Sequence, residues 1–440
     1  MAAWGIPGQV LALVEVAARD TANRIGRALI QHALQVSTSR HLPGPTACDQ
    51  GHRVRMVGTR PRIIRTVFGE VLVERPWYHC ATCRTGFAPA EARYGVSVAG
   101  TSTGYDKILA LAGAEQSYRA SDRLITALTG IRLAPATAVA RTTSRVGHTA
   151  KQHAEAETAA IKAGTQVPLV AEPAPDLCYI LIDGTGAPMV PAETEDRPGK
   201  YPDGRARTRE VKIGCLFTQA HATPGGDPVR DEGSASYLAT FDDATGFAHQ
   251  LKAEHTRRGF DHIRQPLVIG DGAKWIWTIA ERLFPEATHI VDYWHACEHV
   301  HDLVKLFDHL LTDPAAYTRQ LIAHLDRGDI DAIVNQVNAL GLDHYRGSIG
   351  ERARSALGYF TTNAHRMQYH HYRANGWSIG SGPVEAACKT IVAQRAKQAG
   401  MRWTITGLDP VLTLRTLTRS NRDHLIWNNT ASQTPHPEAA

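Results

Sequence analysis

The sequence predicts an α+β multidomain protein whose largest domain is a mixed β-sheet with helices packed on it. Three observations carry that expectation. Two short apolar runs, YILIDGTG at 179–186 and LVIGDGAKW at 267–275, each stop on Asp-Gly. Around them, strand-like segments come three in succession and then alternate with helical ones. Upstream, a β-branched hairpin pattern is flanked by Cys48 and His52 on one side and Cys80 and Cys83 on the other.

The bulk numbers set the frame. A chain of 440 residues, 43% of them hydrophobic, suits two to four domains of about 150 residues each. Seven cysteines, an odd number in a long chain, do not suit a secreted disulfide framework. The N-terminus lacks a basic leader, and Glu15 and Asp20 interrupt its apolar run, so no signal peptide is expected. No stretch approaches the ~18 uncharged apolar residues of a membrane span. The expected location is cytoplasmic and nucleoid-associated, with no membrane partner. Net charge is only +5, but residues 53–65 hold five arginines and no acid, and Glu385–Arg422 holds seven basic residues against two acidic ones. Basic clusters attract phosphate backbones, although each alone also suits a solvated face.

Taken in order, residues 1–40 read as an N-terminal helical segment, from apolar recurrence at three- and four-residue spacing over 8–35. Residues 41–95 read as a zinc-ribbon-like hairpin, two strands turning at Phe68-Gly69. Its two ligand pairs, Cys48/His52 and the CxxC pair Cys80/Cys83, come together across such a hairpin to complete a tetrahedral zinc site. The C-x3-H spacing departs from a standard ribbon, His79 is the alternative to His52, and simple buried thiols are the competing reading. A redox role for the CxxC pair lacks its βαβ setting. Residues 100–165 read as three short helices and a helical spacer, with Gly130 at the second break and Pro135 opening the third helix. That layout is a helix-turn-helix DNA-binding region, on which Arg132, Arg141 and Arg145 would meet phosphates or base edges; most three-helix units, however, bind no DNA. VPLVAEPAPD marks a domain boundary.

From 175 to 425 the order of strands and helices follows a ribonuclease-H-like plan, with a helical insertion at about 305–375 and a tail at 426–440. In that plan Asp183 ends the first strand and Asp271 the fourth, and the two carboxylates converge. Such a pair is costly unless a cation lies between them, and Mg2+ or Mn2+ are hard ions that prefer oxygen. Asp-Gly is also a common turn dipeptide. Glu385 projects from the first turn of a helix opened by Pro383, and Gly382 stands where a capping box needs Ser or Thr. Two Asp and one Glu make a ligand set for two metal ions in phosphodiester chemistry.

The chain resembles a DDE transposase of bacterial insertion sequences, ISKra type, through LIDGTG, TREVKIG, VIGDGAKWIW, DYWHACEH and GSGPVEAACK, with HCATC upstream. The resemblance runs from about Cys48 to Arg422. It implies that Asp183, Asp271 and Glu385 are the catalytic triad, binding two Mg2+ or Mn2+. It also implies an auxiliary Asp292/His295 pair, the D-x-x-H signature of the related Mutator-like transposases. His295 and His299, at i and i+4, are read as structural histidines in preference to a metal pair.

The function expected is cleavage of DNA at the ends of an insertion element and joining of the 3′ ends to target DNA. Terminal inverted repeats and target DNA are the partners, and at least a dimer assembles on DNA to join two ends. Arg205 and Arg207 of a charged loop, and Lys389 and Arg395 of the helix after Glu385, are expected to hold the backbone. Two alternatives share the features: a nuclease or resolvase of the same fold, and a domesticated, non-catalytic DNA-binding protein.

Overall fold

Two long strands, β1 (Arg55–Thr66) and β2 (Gly69–Cys80), pair antiparallel around a tight turn, and the short β3 (Thr85–Phe87) adds to the far edge of β2. The turn is possible because Gly69 adopts φ 104°, a conformation that residues with a side chain rarely enter. The computed structural model describes residues 10–39, 47–89, 91, 94–165, 175–195, 197–199, 201–223, 226–341 and 347–427; most of the VPLVAEPAPD boundary and the end of the tail lie outside these. The chain divides into two compact units, residues 1–153 with 413–417 and 422–440, and residues 154–412 with 418–421.

In the first unit, helix α1 (Val10–Ser39) lays Ile30 and Leu34 on the Ile64, Val71 and Val73 side of the hairpin. Three helices follow: α2 (Thr103–Glu115), α3 (Tyr118–Thr129) and α4 (Ala136–Lys162). Ser102 and Ser117 cap α2 and α3 through their side chains, and Gly130 ends α3 with φ 75°, the left-handed exit expected of a helix terminus. Their shared core is Tyr105, Leu109, Ile125, Ala134 and Val139. The third helix is not short. The polar spacer continues it without a break to Lys162, because alanine-rich sequence sustains a helix wherever no Gly or Pro stops it.

The second unit is built on a mixed five-stranded sheet. Its strands are β4 (Leu177–Pro188), β5 (Thr208–Thr218), β8 (Ser236–Thr240), β9 (Gln265–Gly270) and β10 (Thr288–Val291), ordered β10-β9-β4-β5-β8; two-residue strands β6 (His221–Ala222) and β7 (Pro228–Val229) form a separate ladder. β5 is antiparallel to β4 and β8, whereas β9 is parallel to β4 and β10 to β9. Cys178–Ile182 at the sheet centre are wholly buried, which is why this strand reads as an unbroken apolar run and not as an alternation. Helices α5 (Ala244–Arg257), α6 (Lys274–Leu283) and α7 (Tyr293–Lys305) alternate with the later strands. The expected insertion is helical in its described parts: α8 (Pro314–Asp326), α9 (Ile330–Asn338), α10 (Gly347–Asn363) and α11 (Tyr369–Ala374). Among the described residues no helix is long and apolar enough to cross a membrane.

One expectation is corrected here. Asp183 does not end its strand: β4 runs on to Pro188, and Asp183 pairs with Ile213 of β5. The glycine after it does not serve a turn either. A Cβ at Gly184 would stand 2.6 Å from a Glu210 carboxylate oxygen on the adjacent strand, so Gly184 permits close cross-strand approach. Gly272, in contrast, has φ 97° and does turn the chain after Asp271.

Candidate functional site

Parallel pairing of β4 with β9 ends at Leu181 opposite Ile269. Asp183 and Asp271 therefore each lie two residues past the last paired position, and the period-two alternation of a strand sends them the same way. Downstream, α12 (Gly382–Ala387) opens with Pro383 in its first turn and continues as a π-helical stretch, Cys388–Ala393, and then α13 (Gln394–Ala396). Glu385 and Cys388 stand three residues apart on this helix, on one face. The Cys388 thiol donates to Asp183 Oδ2 at 3.1 Å, which fixes the Glu385 helix over the strand.

The three carboxylates share one electrostatic environment. Burial, first, and then the neighbouring charges of Asp271 and Glu385 push the Asp183 carboxyl above its usual range, while the Cys388 thiol and the Gly184 N–H pull it back. Asp271 accepts the Ala273 N–H at 2.9 Å through Oδ1. Glu385 accepts the Ser381 hydroxyl at 2.9 Å. Ser381 is the residue preceding α12, yet its side chain makes no cap to the helix backbone; Glu385 is thus held as an oriented acceptor and not consumed in a capping box.

Asp292 is buried and has a structural task. Its Oδ1 accepts the His295 N–H at 2.6 Å, capping α7, and its Oδ2 accepts the Ser381 N–H. The D-x-x-H spacing is therefore an N-cap in which the His contributes its backbone. The His295 ring lies 3.5 Å from a Glu298 carboxylate oxygen. His299 stacks on Tyr359 with ring centroids 3.8 Å apart, and burial depresses its imidazole. The Tyr359 hydroxyl in turn reaches the Asp271 carbonyl at 3.4 Å.

The basic residues divide. Arg205 and Arg207 are exposed and line a cavity of about 430 Å3 with Arg402; Arg207 also pairs with Asp203 at 3.1 Å and lies over the Tyr201 ring. Lys389 is exposed. Arg395 contradicts the expectation of a backbone contact: it is 0% exposed and its guanidinium lies 4.7 Å from the Trp403 ring centroid. A cation that flat can be buried against an aromatic face where Lys could not. In the first unit Arg141 is exposed, Arg132 forms a two-point pair with Asp122, and Arg145 is tied to the buried Asp106 at 2.6 Å.

Cys48, His52, Cys80 and Cys83 form a group that could hold a metal ion. Among the described residues it is the one His/Cys/Asp/Glu cluster whose ligand atoms all lie within 4.8 Å of one another; the carboxylate trio is more open. The C-x3-H spacing works because residues 48–52 fold back sharply. Cys48 N–H donates to the His52 carbonyl, and Gly51, at φ 76°, donates to the Cys48 carbonyl. His52 Nδ1 then stands 3.1 Å from Cys83 Sγ and 3.8 Å from Cys48 Sγ, and the Cys83 N–H points at Cys80 Sγ at 3.4 Å. His52, and not His79, is the histidine of the group. Two thiols of a CxxC pair, a third Cys and a His are a donor set suited to Zn2+ in a closed site.

Sequence reasoning missed Ser381, Cys388 and Tyr359. For Cys388 the one signal available is its place one turn after Glu385. Comparison with protein-family models finds none that matches this chain, and comparison with curated proteins finds no relative.

Proposed function

We propose that the chain is an enzyme of DNA strand cleavage and transfer, a transposase of the DDE kind resembling the ISKra type. The observation that carries this reading is that Asp183, inside a strand, has Asp271 from a strand end and Glu385 from a helix start as its charged neighbours. The sheet order, three antiparallel strands at one side and two parallel strands at the other, supports a ribonuclease-H-like core.

The donor set fits divalent cations of the Mg2+ or Mn2+ type. It is all oxygen, and the Asp183 carboxylate, whose charge is opposed by burial and by Asp271 and Glu385, is stabilised by positive charge beside it. Such ions, when bound, would activate the attacking oxygen and stabilise the departing 3′ oxygen. The chain's own residues hold this arrangement in place. Cys388 restrains Asp183, the Ala273 N–H restrains Asp271, Ser381 restrains Glu385 and Asp292 anchors the Ser381 backbone, so all three carboxylates are orientated before substrate arrives. Arg205, Arg207 and Lys389 offer exposed positive charge for phosphates, and Arg132, Arg141 and Arg145 do so in the first unit. The Cys/His group serves as a structural zinc site that closes the hairpin.

The test uses Asp271→Asn and a duplex carrying the element's terminal repeats, taken from the DNA flanking the coding region. End cleavage is abolished while affinity for the repeats stays within about twofold, since an Asp-to-Asn change leaves shape intact. Undiminished cutting would falsify the assignment.

A further inference from the structure

Helix α1 has two faces of different fate. One face is docked: Arg19 donates to the Ala127 carbonyl, Asn23 to the Thr129 carbonyl, Gly26 lies against the Phe68 ring, and Ile30 and Leu34 pack on the hairpin. About 120° round the helix axis runs an apolar stripe, Leu11, Val14, Ala18, Ala22, Ile25, Leu29 and Val36, at spacings of three and four and then seven. Every member is exposed, with Leu11 at 70%, Leu29 at 65% and Ile25 at 55%. No charged residue interrupts it. It is about 38 Å long at the rise of an α-helix.

The N-terminal half of the helix sharpens the point. Every residue from Val10 to Ala22 is exposed, and Val10, Leu13 and Val16 widen the apolar surface there. A helical segment of that length is marginal in water without a packing partner, and a continuous apolar stripe of this size on a surface marks an interaction site.

We infer that the stripe is an antiparallel dimer seam between two copies of this chain, formed without DNA. The stripe is complementary to itself in that orientation. With the two-fold axis between Asn23 and Arg24, Leu11 meets Val36, Val14 meets Ala33, Ala18 meets Leu29 and Ala22 meets Ile25. In three of these four pairs a large side chain faces an alanine, which lets helices interdigitate, and Leu11 and Val36 close the two ends of the seam. The same register sets the Glu15 carboxylate beside the His32 imidazole at the seam's margin, an acceptor facing a ring N–H donor. Because α1 is docked by its other face, pairing requires no rearrangement of the hairpin. Dimerisation through α1 stands independently of the catalytic proposal and would hold two catalytic chains together before either meets substrate.

The experiment is sedimentation of the full chain without DNA or added divalent metal, so that its outcome is separate from that of any cleavage assay. The wild-type chain is a dimer at tens of micromolar. Leu29→Glu, which buries two like charges at the seam, weakens association about a hundredfold or more with an unchanged far-UV circular dichroism spectrum. Gln31→Glu, on an exposed position off the stripe, leaves the dimer intact. On mild oxidation Ala22→Cys gives a disulfide-linked dimer through that position, whereas Leu11→Cys does not, since its two copies lie at opposite ends of the seam. A monomeric wild type, or a dimer indifferent to Leu29→Glu, overturns the proposal. Equal cross-linking at both positions overturns the antiparallel register, and a monomer whose DNA affinity falls with Leu29→Glu assigns the stripe to another partner and overturns it too.

Discussion

The thiol of Cys388 donates to the carboxylate of Asp183 across 205 residues of sequence. Asp183 is half-buried beside two other acids, and a donor to its charged form is what favours ionisation there. Cys388→Ala removes that donor and leaves the carboxylate less well held. Single-turnover cleavage should fall about tenfold, the worth of one hydrogen bond to a charged group. Cys388→Ser, which keeps a donor at the same place, should recover most of the rate.

Zinc is testable by composition. Purified protein should carry one zinc per chain by elemental analysis, and Cys83→Ser should lose it. Because ligands of this kind couple metal binding to folding, strong chelators should lower the melting temperature of the first unit in the wild type and leave the Cys83→Ser variant unmoved.

Arg395 should behave as a core residue. Arg395→Ala takes away the flat partner of Trp403 and opens a cavity, at a cost of about 3 kcal/mol in unfolding free energy. Affinity for DNA, measured well below the variant's melting temperature, should stay within about twofold of the wild type. An Arg395 that held phosphate would give the reverse pattern, normal stability with weaker and less salt-dependent binding.

Acid should destabilise the second unit through His255. Its imidazole is packed near the rings of Phe260 and Phe284, and burial lowers it to about 4, with Lys252 adding to the shift and Asp261, 3.3 Å away, opposing it. The unfolded chain protonates this group at about 6.5, so between those values the unfolded state binds more protons. Stability from this source is complete above about 6.5 and is lost as pH falls towards 4, by up to about 3 kcal/mol. Urea titrations at pH 7, 5.5 and 4, values chosen to span about that window, should show the decline, and His255→Gln should flatten it.

Asp292 ties two elements at once. Asp292→Ala uncaps α7 and frees the Ser381 N–H, costing about 1–2 kcal/mol of stability and loosening the support of Glu385. Asp292→Asn can still accept the His295 N–H, so its stability loss should be smaller than that of Ala by chemical denaturation.

Where side chains follow a period, the sequence was readable. The five sheet strands, the hairpin and the helices of the insertion come from apolar runs and spacing, and Asp271 from a strand that stops on glycine. Asp183 was found by the same logic but given the wrong local setting, since nothing in LIDGTG reveals that β5 continues to pair with it as far as Pro188. Arg395 was misread because a cation near a helix end suggests solvent, and its aromatic partner Trp403 comes eight residues later in an irregular segment. Ser381 and Cys388 were silent for a different reason. Their roles depend on which strand the helix lands on, and tertiary contact of that sort leaves no mark on local pattern.

The last described helices, α14 (Ile405–Arg419) and α15 (His424–Trp427), place Leu414, Leu417 and Ile426 in one cluster with Ala110, Ala114, Val146 and Ala150, and Arg415 donates to the Ala114 carbonyl at 2.7 Å. During synthesis, then, the first unit cannot finish its interior when its own helices leave the ribosome. It must wait for nearly the whole message to be read, and a chain interrupted before that point is left with an apolar gap that quality-control proteases can recognise.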